Sequence, residues 1–421
     1  MKGKFYIMKK SIELLNAKSF IIYDKKIKKI IFETNKIYPQ HFFPHNIIDY
    51  AEMVKKMVKN EKEKLPIMSI SSKDFPYCDF DCKDCLAKSS RDWASKNIPC
   101  IVPNIQLYKK ILYNVSEYSK MLGCSSVRFE ICGEGNPDMF PNRDEIIQFA
   151  KEKCNMGVVY ISTGSKLDYK TKIALSKYVS YIRISFPGID NLGYDYYSNQ
   201  KGKKKFKYND AIELLKELVL LRKKYNRENN LIIGVRTCIR DSNEGKYINF
   251  AKQLGKIGVD SLQIVKVLTP EKNKIKDNII NKNLKKELLI ITKKYKQYGL
   301  KHVQLPIKLD SVYEDRKLKN EIKPSKCYSS IFSPILYGTN LITCTHWDKI
   351  SDVKNFHYGE LKGNEDEISK LMNCSRSLRI RSKIPSGCDD CCSINDNLMF
   401  EIIKLKLSLC NDLNDIEFKL K

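Results

Sequence analysis

The sequence predicts an α/β fold: a partial (β/α)6 barrel over residues 66–310, an N-terminal extension over 1–65, and a small cysteine-rich C-terminal domain over 320–421. Three observations carry this. Runs rich in Val, Ile, Tyr and Phe read as strands at 66–71, 125–132, 157–162, 180–186, 230–239 and 260–267. Apolar residues at helical spacing fill the intervals near 104–122, 143–154, 169–178, 209–226, 244–256 and 282–298. Strand and helix alternate strictly, which calls for a parallel sheet with right-handed crossovers, and six units fall short of the eight that close a full barrel. In such folds the chemistry sits at the carboxyl ends of the strands.

In the extension, residues 20–23 and 29–33 read as a strand pair. Ile47, Ile48, Ala51, Val54, Met57 and Val58 make one apolar face of a helix. Packing against the rest of the chain is the preferred reading of that face, with binding of a partner or leader segment as the alternative. The first strand runs into a loop with three cysteines, and the second into Cys132-Gly133-Glu134-Gly135-Asn136-Pro137. The third is followed by Ser162-Thr163-Gly164, and the fourth ends Arg183-Ile184-Ser185-Phe186. The fifth carries Cys238, and the sixth Gln263 and Val265. From about 320 onward cysteines are frequent, periodic structure is sparse, and no internal repeat is visible.

Of 421 residues, 76 are Lys or Arg and 49 Asp or Glu, a formal charge of +27, and 42% are apolar. That apolar share suffices to bury a core, which excludes disorder for the chain as a whole. No run approaches the ~18 consecutive apolar residues that span a bilayer, and the basic N-terminus lacks the apolar region of a signal peptide. A cytoplasmic location without a membrane partner is expected. The positive charge is mostly lysine, densest at 24–29, 55–64, 201–207 and 271–286. Nucleic acid, an acidic peptide or an anionic surface would each complement it, but no arginine cluster interleaves with aromatics. A solvated lysine-rich surface is the preferred reading, and nucleic acid is not an expected partner. The 15 cysteines, in a reducing compartment, point to metal ligands or redox groups instead of disulfides.

Cys78, Cys82 and Cys85 stand within eight residues on a loop at a strand's carboxyl end. Thiolates bind iron–sulfur clusters, and this spacing lets one loop wrap three corners of a cube while leaving one iron open. Zinc is the alternative, but it needs a fourth ligand, and the nearest downstream is Cys100. Glu134 read alone is an ordinary carboxylate near a helix start, and Gly133 a turn glycine.

The CxxxCxxC loop after the first of six βα units resembles the radical S-adenosylmethionine (SAM) superfamily, over roughly residues 66–305. Cys132-Gly133-Glu134-Gly135-Asn136-Pro137 stands in the place of that family's Gly-Gly-Glu-Pro segment. The resemblance implies that Gly133 and Glu134 bind the amino group of SAM. Ile161-Ser162-Thr163-Gly164 resembles the family's Ser-Thr-Asn-Gly turn, and Ser185 falls where a ribose-contacting residue is common. Gln263 and Val265 fall where the backbone flanks adenine. The chain departs from the family with Asp84 before the third cysteine, where an aromatic is usual, and with two residues between Glu134 and Pro137.

Further along stand Cys327, Gly338, Cys344, Cys388 and Cys391. A Cys–hairpin–Cys unit followed by CxxC can close four thiolates around one 4Fe–4S cluster, and the same set also fits a four-thiolate zinc site. The arrangement resembles the twitch domain, the single-cluster relative of the SPASM domain, which implies one auxiliary 4Fe–4S cluster. His346 reads as a surface or supporting residue. Among the remaining cysteines, Cys132 and Cys238 lie near strand ends and are candidate hydrogen-atom donors; packing is the alternative for both.

The resemblance implies reductive cleavage of SAM to a 5′-deoxyadenosyl radical, an electron donor such as flavodoxin or ferredoxin, and hydrogen abstraction from the substrate. A peptide or protein substrate is favoured. A radical SAM dehydrogenase or epimerase acting on a carbohydrate or aminocyclitol is the alternative. A zinc-bearing basic nucleic-acid binder would explain the charge and cysteines, but not the Gly133-Glu134 segment or the six βα units.

Overall fold

Strands in sequence order, each hydrogen-bonded in parallel to the next, form the centre of the molecule: β3 (Ser69–Ser72), β4 (Arg128–Ile131), β5 (Gly157–Ser162), β6 (Val179–Phe186), β7 (Ile232–Cys238), β8 (Ser261–Val265) and β9 (His302–Gln304). The computed structural model describes residues 20–25, 29–34, 47–59, 64–73, 77–83, 85, 87–88, 104–133, 135–200, 205–265, 267, 282–305, 332–343, 357–374, 377, 403–404, 406–408, 410 and 412–420. Asp84, Glu134, Cys327, Cys344, Cys388 and Cys391 lie outside them.

Helices occupy the intervals between strands: α2 (Ile105–Met121), α3 (Arg143–Glu152), α4 (Tyr169–Tyr178), α5 (Asn191–Ser198), α6 (Tyr208–Lys224), α7 (Tyr247–Ile257) and α8 (Lys282–Lys294). All but α5 stand where the apolar spacing placed them. The helix α2 illustrates why. Asn104 caps it by accepting from the Leu107 amide at 2.9 Å. Tyr108, Ile111, Leu112 and Val115 then fall on one buried face, each side chain worth roughly 1.5–3 kcal/mol on burial. None of the helices among the described residues is long and apolar enough to cross a membrane.

Strand periodicity divides the sheet into two unlike faces. Ile182, Ile184 and Phe186 of β6, with Ile233 and Val235 of β7, join the main core beneath the helices. The alternate residues, Tyr181 and Ile232 with Val159, form a separate small apolar cluster on the other face. Towards the strand ends that second face turns polar. A buried ion pair ties β7 to β8 beside the core. Asp260, 2% exposed, accepts from the Arg222 guanidinium, from the Ile233 amide at 2.9 Å and from Lys301 Nζ at 2.8 Å.

Both flanking segments build onto this core. The predicted strand pair forms as β1 (Phe20–Asp24) and β2 (Lys29–Thr34), and β1 also pairs antiparallel with β13 (Ile416–Leu420), so opposite ends of the chain share one small sheet. In α1 (Ile47–Lys59), Ala51, Val54 and Met57 are buried in the main core, and Lys55 Nζ donates to the Ile416 carbonyl at 2.9 Å. The apolar face of that helix is therefore occupied by packing. Downstream, β10 (Ile335–Tyr337), β11 (Asn340–Ile342) and β12 (His357–Glu360) extend the main sheet, with β10 parallel to β3 and the other two antiparallel. Gly338, at φ +60°, makes the turn between β10 and β11. The helix α9 (Glu367–Asn373) packs beside β12 and α2.

Candidate active site

The loop that follows β3 carries Cys78, Cys82 and Cys85, all half-buried. Its backbone is fixed by α5, the helix that the sequence reading missed. The Asp81 amide donates to the Ser198 carbonyl at 3.1 Å and the Lys83 amide to the Tyr197 carbonyl at 3.2 Å. Phe80, buried, meets Tyr194 edge-on with ring centroids 6.3 Å apart, and Lys83 Nζ sits 3.1 Å over the Tyr196 ring. The signal for α5 was present: Asp190 caps it by accepting from the Gly193 amide at 2.7 Å. Its tyrosine-rich composition obscured the period, and its eight residues are short for a pattern to register.

Two further loops reach this one. Asn136, from the turn after β4, donates its amide N–H to the Tyr77 carbonyl at 2.8 Å and its side chain to Asp79 Oδ1 at 2.8 Å. Ser165, after β5, donates to Asp79 Oδ2 at 2.6 Å and accepts from Asn136 at 2.8 Å. Asp79 thus joins the ends of the first three parallel strands through charge-assisted bonds. Gly133 begins the middle loop at φ +54°, where an added Cβ would meet the Gly135 carbonyl oxygen at 3.1 Å. If this loop holds a metal centre, we expect Asp79→Ala to lower iron loading on anaerobic reconstitution about 10–100-fold, the range seen when residues supporting metal ligands are lost. Iron content of the reconstituted variant tests this; a wild-type value would mean that the loop holds itself.

The thiol of Cys82 is pushed up to about 12 by burial first and then by Cys85, Cys78 and Cys238, whose charges would oppose its own. The sequence brings three of these together on one loop; the fold adds Cys238 from the end of β7. Such a group of mutually repelling thiolates is stabilised by a bound cation centre, and thiolates are the donors that iron–sulfur clusters take. Among the described residues, no three His, Cys, Asp or Glu side chains converge on a single ion position. Three thiols on one loop have the donor chemistry that an iron–sulfur cluster takes.

The other predicted residues divide. Ser185 and Val265 are half-buried at strand ends on the polar face, with Val265 opposite Cys238 in register. Gln263, 5% exposed, accepts from Arg183 Nη1 at 3.2 Å and donates to Gln304 at 2.9 Å. Cys132 lies towards β3, with its Sγ 3.8 Å from the Ser72 carbonyl and in hydrogen-bond contact with Lys73 and Glu130; burial pushes its thiol up to about 12. Ser162 lies on the helix-covered face. Buried, it hydrogen-bonds Asp138 and accepts from the Gly164 amide at 3.0 Å, so its hydroxyl shapes the turn and does not face the cysteine loop.

The polar face itself is organised in rows. In register, Glu130 stands level with Val159 and Tyr181; one row on, Arg183 is level with Gly234; the next holds Ser185, Arg236 and Gln263. Burial alone would raise Glu130, but Arg128, Lys73 and Arg183 outweigh it, so its carboxyl is held below the usual range. Gly234 makes room for Tyr181: a Cβ there would lie 2.7 Å from the Tyr181 hydroxyl. The reading by composition found these strands but not this pattern.

The chain is similar in fold to Streptococcus suis SuiB bound to S-adenosylmethionine, with a TM-score of 0.51 and 15% identity, over 79% of this chain and 69% of that one. SuiB bound to precursor peptide SuiA gives a TM-score of 0.51 and 15% identity, over 79% and 70%. Native anSMEcpe with bound AdoMet and Cp18Cys peptide gives 0.51 and 12%, over 80% and 87%. These neighbours are radical SAM enzymes. The fold is shared with radical SAM enzymes. No protein-family model matches the sequence, and no curated protein matches it significantly. In that shared fold, the cysteine loop of this chain follows the first strand of the parallel run, where the resemblance in sequence placed it.

Proposed function

We propose that this chain is a radical SAM enzyme that modifies a peptide or protein substrate. The observation that carries the proposal is the gathering of Cys78, Cys82, Cys85 and Cys238 at the carboxyl end of a parallel sheet. Strands β3–β8 of the parallel run, with the helices that follow them, are the partial (β/α)6 barrel, β9 is a seventh strand at its edge, and the segment beyond 320 is a twitch-like domain. Cys78, Cys82 and Cys85 hold a 4Fe–4S cluster, and Gly133 and Glu134 bind the amino group of SAM. Ser185, Gln263 and Val265 flank its nucleoside; Ser162 supports this set from behind through its turn. Cys327, Cys344, Cys388 and Cys391 hold the one auxiliary 4Fe–4S cluster. SuiB in complex with precursor peptide SuiA and anSMEcpe in complex with Cp18Cys peptide support a peptide as the substrate class.

When bound, the first cluster and SAM supply a 5′-deoxyadenosyl radical, with the electron delivered by a flavodoxin or ferredoxin. The remaining work belongs to the chain. Asp79, Asn136 and Ser165 hold the cysteine loop in one position relative to three strand ends. The polar face of the sheet binds the substrate and holds the reacting carbon in place, which removes the entropic cost of bringing it to the radical. Cys238 is the hydrogen-atom donor if the product is epimerised, since it lies beside Cys82; Cys132 is engaged with Ser72, Lys73 and Glu130.

Anaerobic reconstitution of the full chain tests this. About eight irons and eight sulfides per chain are expected, with 5′-deoxyadenosine formed from SAM and dithionite. Stoichiometric zinc without SAM cleavage would overturn the proposal.

A further inference from the structure

Arg183 and Arg236 stand on adjacent strands of the polar face, one row apart and both half-buried. Their polar neighbours do not satisfy them. Among the described residues, the Arg236 guanidinium has neither a hydrogen-bond nor an ion-pair partner, and Arg183 Nε is buried without one. Arg183 Nη1 reaches only the neutral amide of Gln263. Among the described residues the nearby carboxylate on this face is Glu130, which is bridged to Arg128 at 3.3 Å and feels the charges of both Lys73 and Arg183. Among the described residues, Arg128, Lys73 and Arg183 thus share the single carboxylate Glu130, and Arg236 has only the Cys238 thiol and the Tyr181 hydroxyl to oppose its charge. Burial first, and then Arg183, pulls Arg236 down to about 10.

Burying one unpaired guanidinium is costly, and burying two side by side is more so, unless a ligand supplies the missing charge. A planar fork matches the two oxygens of a carboxylate or phosphate, and two forks in adjacent rows offer bidentate contact from two sides. Position separates this pair from the cluster loop. With ~3.3 Å per residue along a strand, Arg236 lies ~7 Å behind the Cys238 end of β7, and the Arg183 row ~13 Å behind it.

We propose that Arg183 and Arg236 recognise an oxyanion of the substrate, so that the peptide acted on carries an acidic side chain or terminal carboxylate close to its reacting residue. This rests on the radical SAM reading for the identity of the chamber, but the anion site is testable without it.

The first arm uses the full chain without reconstitution, titrated with inorganic phosphate by calorimetry at constant ionic strength. Wild type is expected to bind. Arg236→Gln and Arg183→Gln are each expected to weaken binding at least tenfold, while Lys216→Gln on the exposed face of α6 leaves it unchanged. Equal binding by wild type and both arginine variants overturns the site. Should Arg236→Gln fail to fold, Arg236→Lys keeps the charge but loses the fork; at least fivefold weaker binding is expected there, and unchanged binding overturns the site. The second arm measures SAM binding to reconstituted protein by equilibrium dialysis. Arg236→Gln is expected to match wild type within twofold; a tenfold loss would assign the anion to SAM itself and overturn the substrate assignment. A wild type that binds phosphate through these arginines but never cleaves SAM would count against the radical SAM reading while leaving the anion site standing.

Discussion

Replacing Cys82, a ligand of the proposed cluster, with alanine is expected to lower 5′-deoxyadenosine formation by more than ~100-fold, since losing a ligand exceeds the 10–100-fold cost of losing its supports. The variant should stay folded. The loop is held by backbone bonds to Ser198 and Tyr197, by Phe80 packing and by the Asp79 clamp, none of which uses the Cys82 sulfur. Wild-type circular dichroism with lost SAM cleavage is the result that fits. Cys388→Ala makes the contrast: it should keep cleavage of SAM and lose turnover of the substrate. Full cleavage by Cys82→Ala would remove Cys82 from the cluster.

Asp260→Asn is expected to destabilise the chain by about 3–5 kcal/mol, the cost of breaking a buried ion pair from one side. The asparagine can still accept from the Ile233 amide, but it cannot neutralise Arg222, which is itself buried and also donates to the Gly258 carbonyl at 2.9 Å. The backbone of Asp260 extends the damage, because its carbonyl accepts from the Lys301 and His302 amides and so places β9. The midpoint of urea denaturation measures the effect; a shift of about 1 M is expected for a chain of this size. An unchanged midpoint would show that the pair contributes nothing net. Because β7, β8 and β9 all lean on this residue, SAM cleavage should fall in parallel with stability.

Strand and helix positions were legible because burial imposes a period. The run at 157–162 coincides with β5, and 169–178 with α4, since the core face of each repeats at 2 and 3.6 residues. The cysteine triplet was legible for a different reason: ligands on one loop are neighbours in sequence before they are neighbours in space. What escaped was whatever depends on register. Arg183 and Arg236 are separated by more than fifty residues of chain and meet only when β6 pairs with β7. Asp79 reads as one acid in a charged loop until Asn136 and Ser165 arrive from two other strands. Ser162 read as a cofactor contact because its motif matched, but strand parity turns its hydroxyl to the helix side. The apolar face of α1 admits both packing and leader binding when read in sequence; in the fold, Ala51, Val54 and Met57 of that face are buried in the core.

By itself the sequence determined the alternating α/β plan and the cysteine loop, because both are local: hydrophobic period and ligand spacing need no partner. Tertiary structure decided which side of each strand looks into the site, that Cys238 joins Cys82, and that two arginines share a face on adjacent strands. Those depend on parity and on parallel register, which come into existence only when distant segments pair.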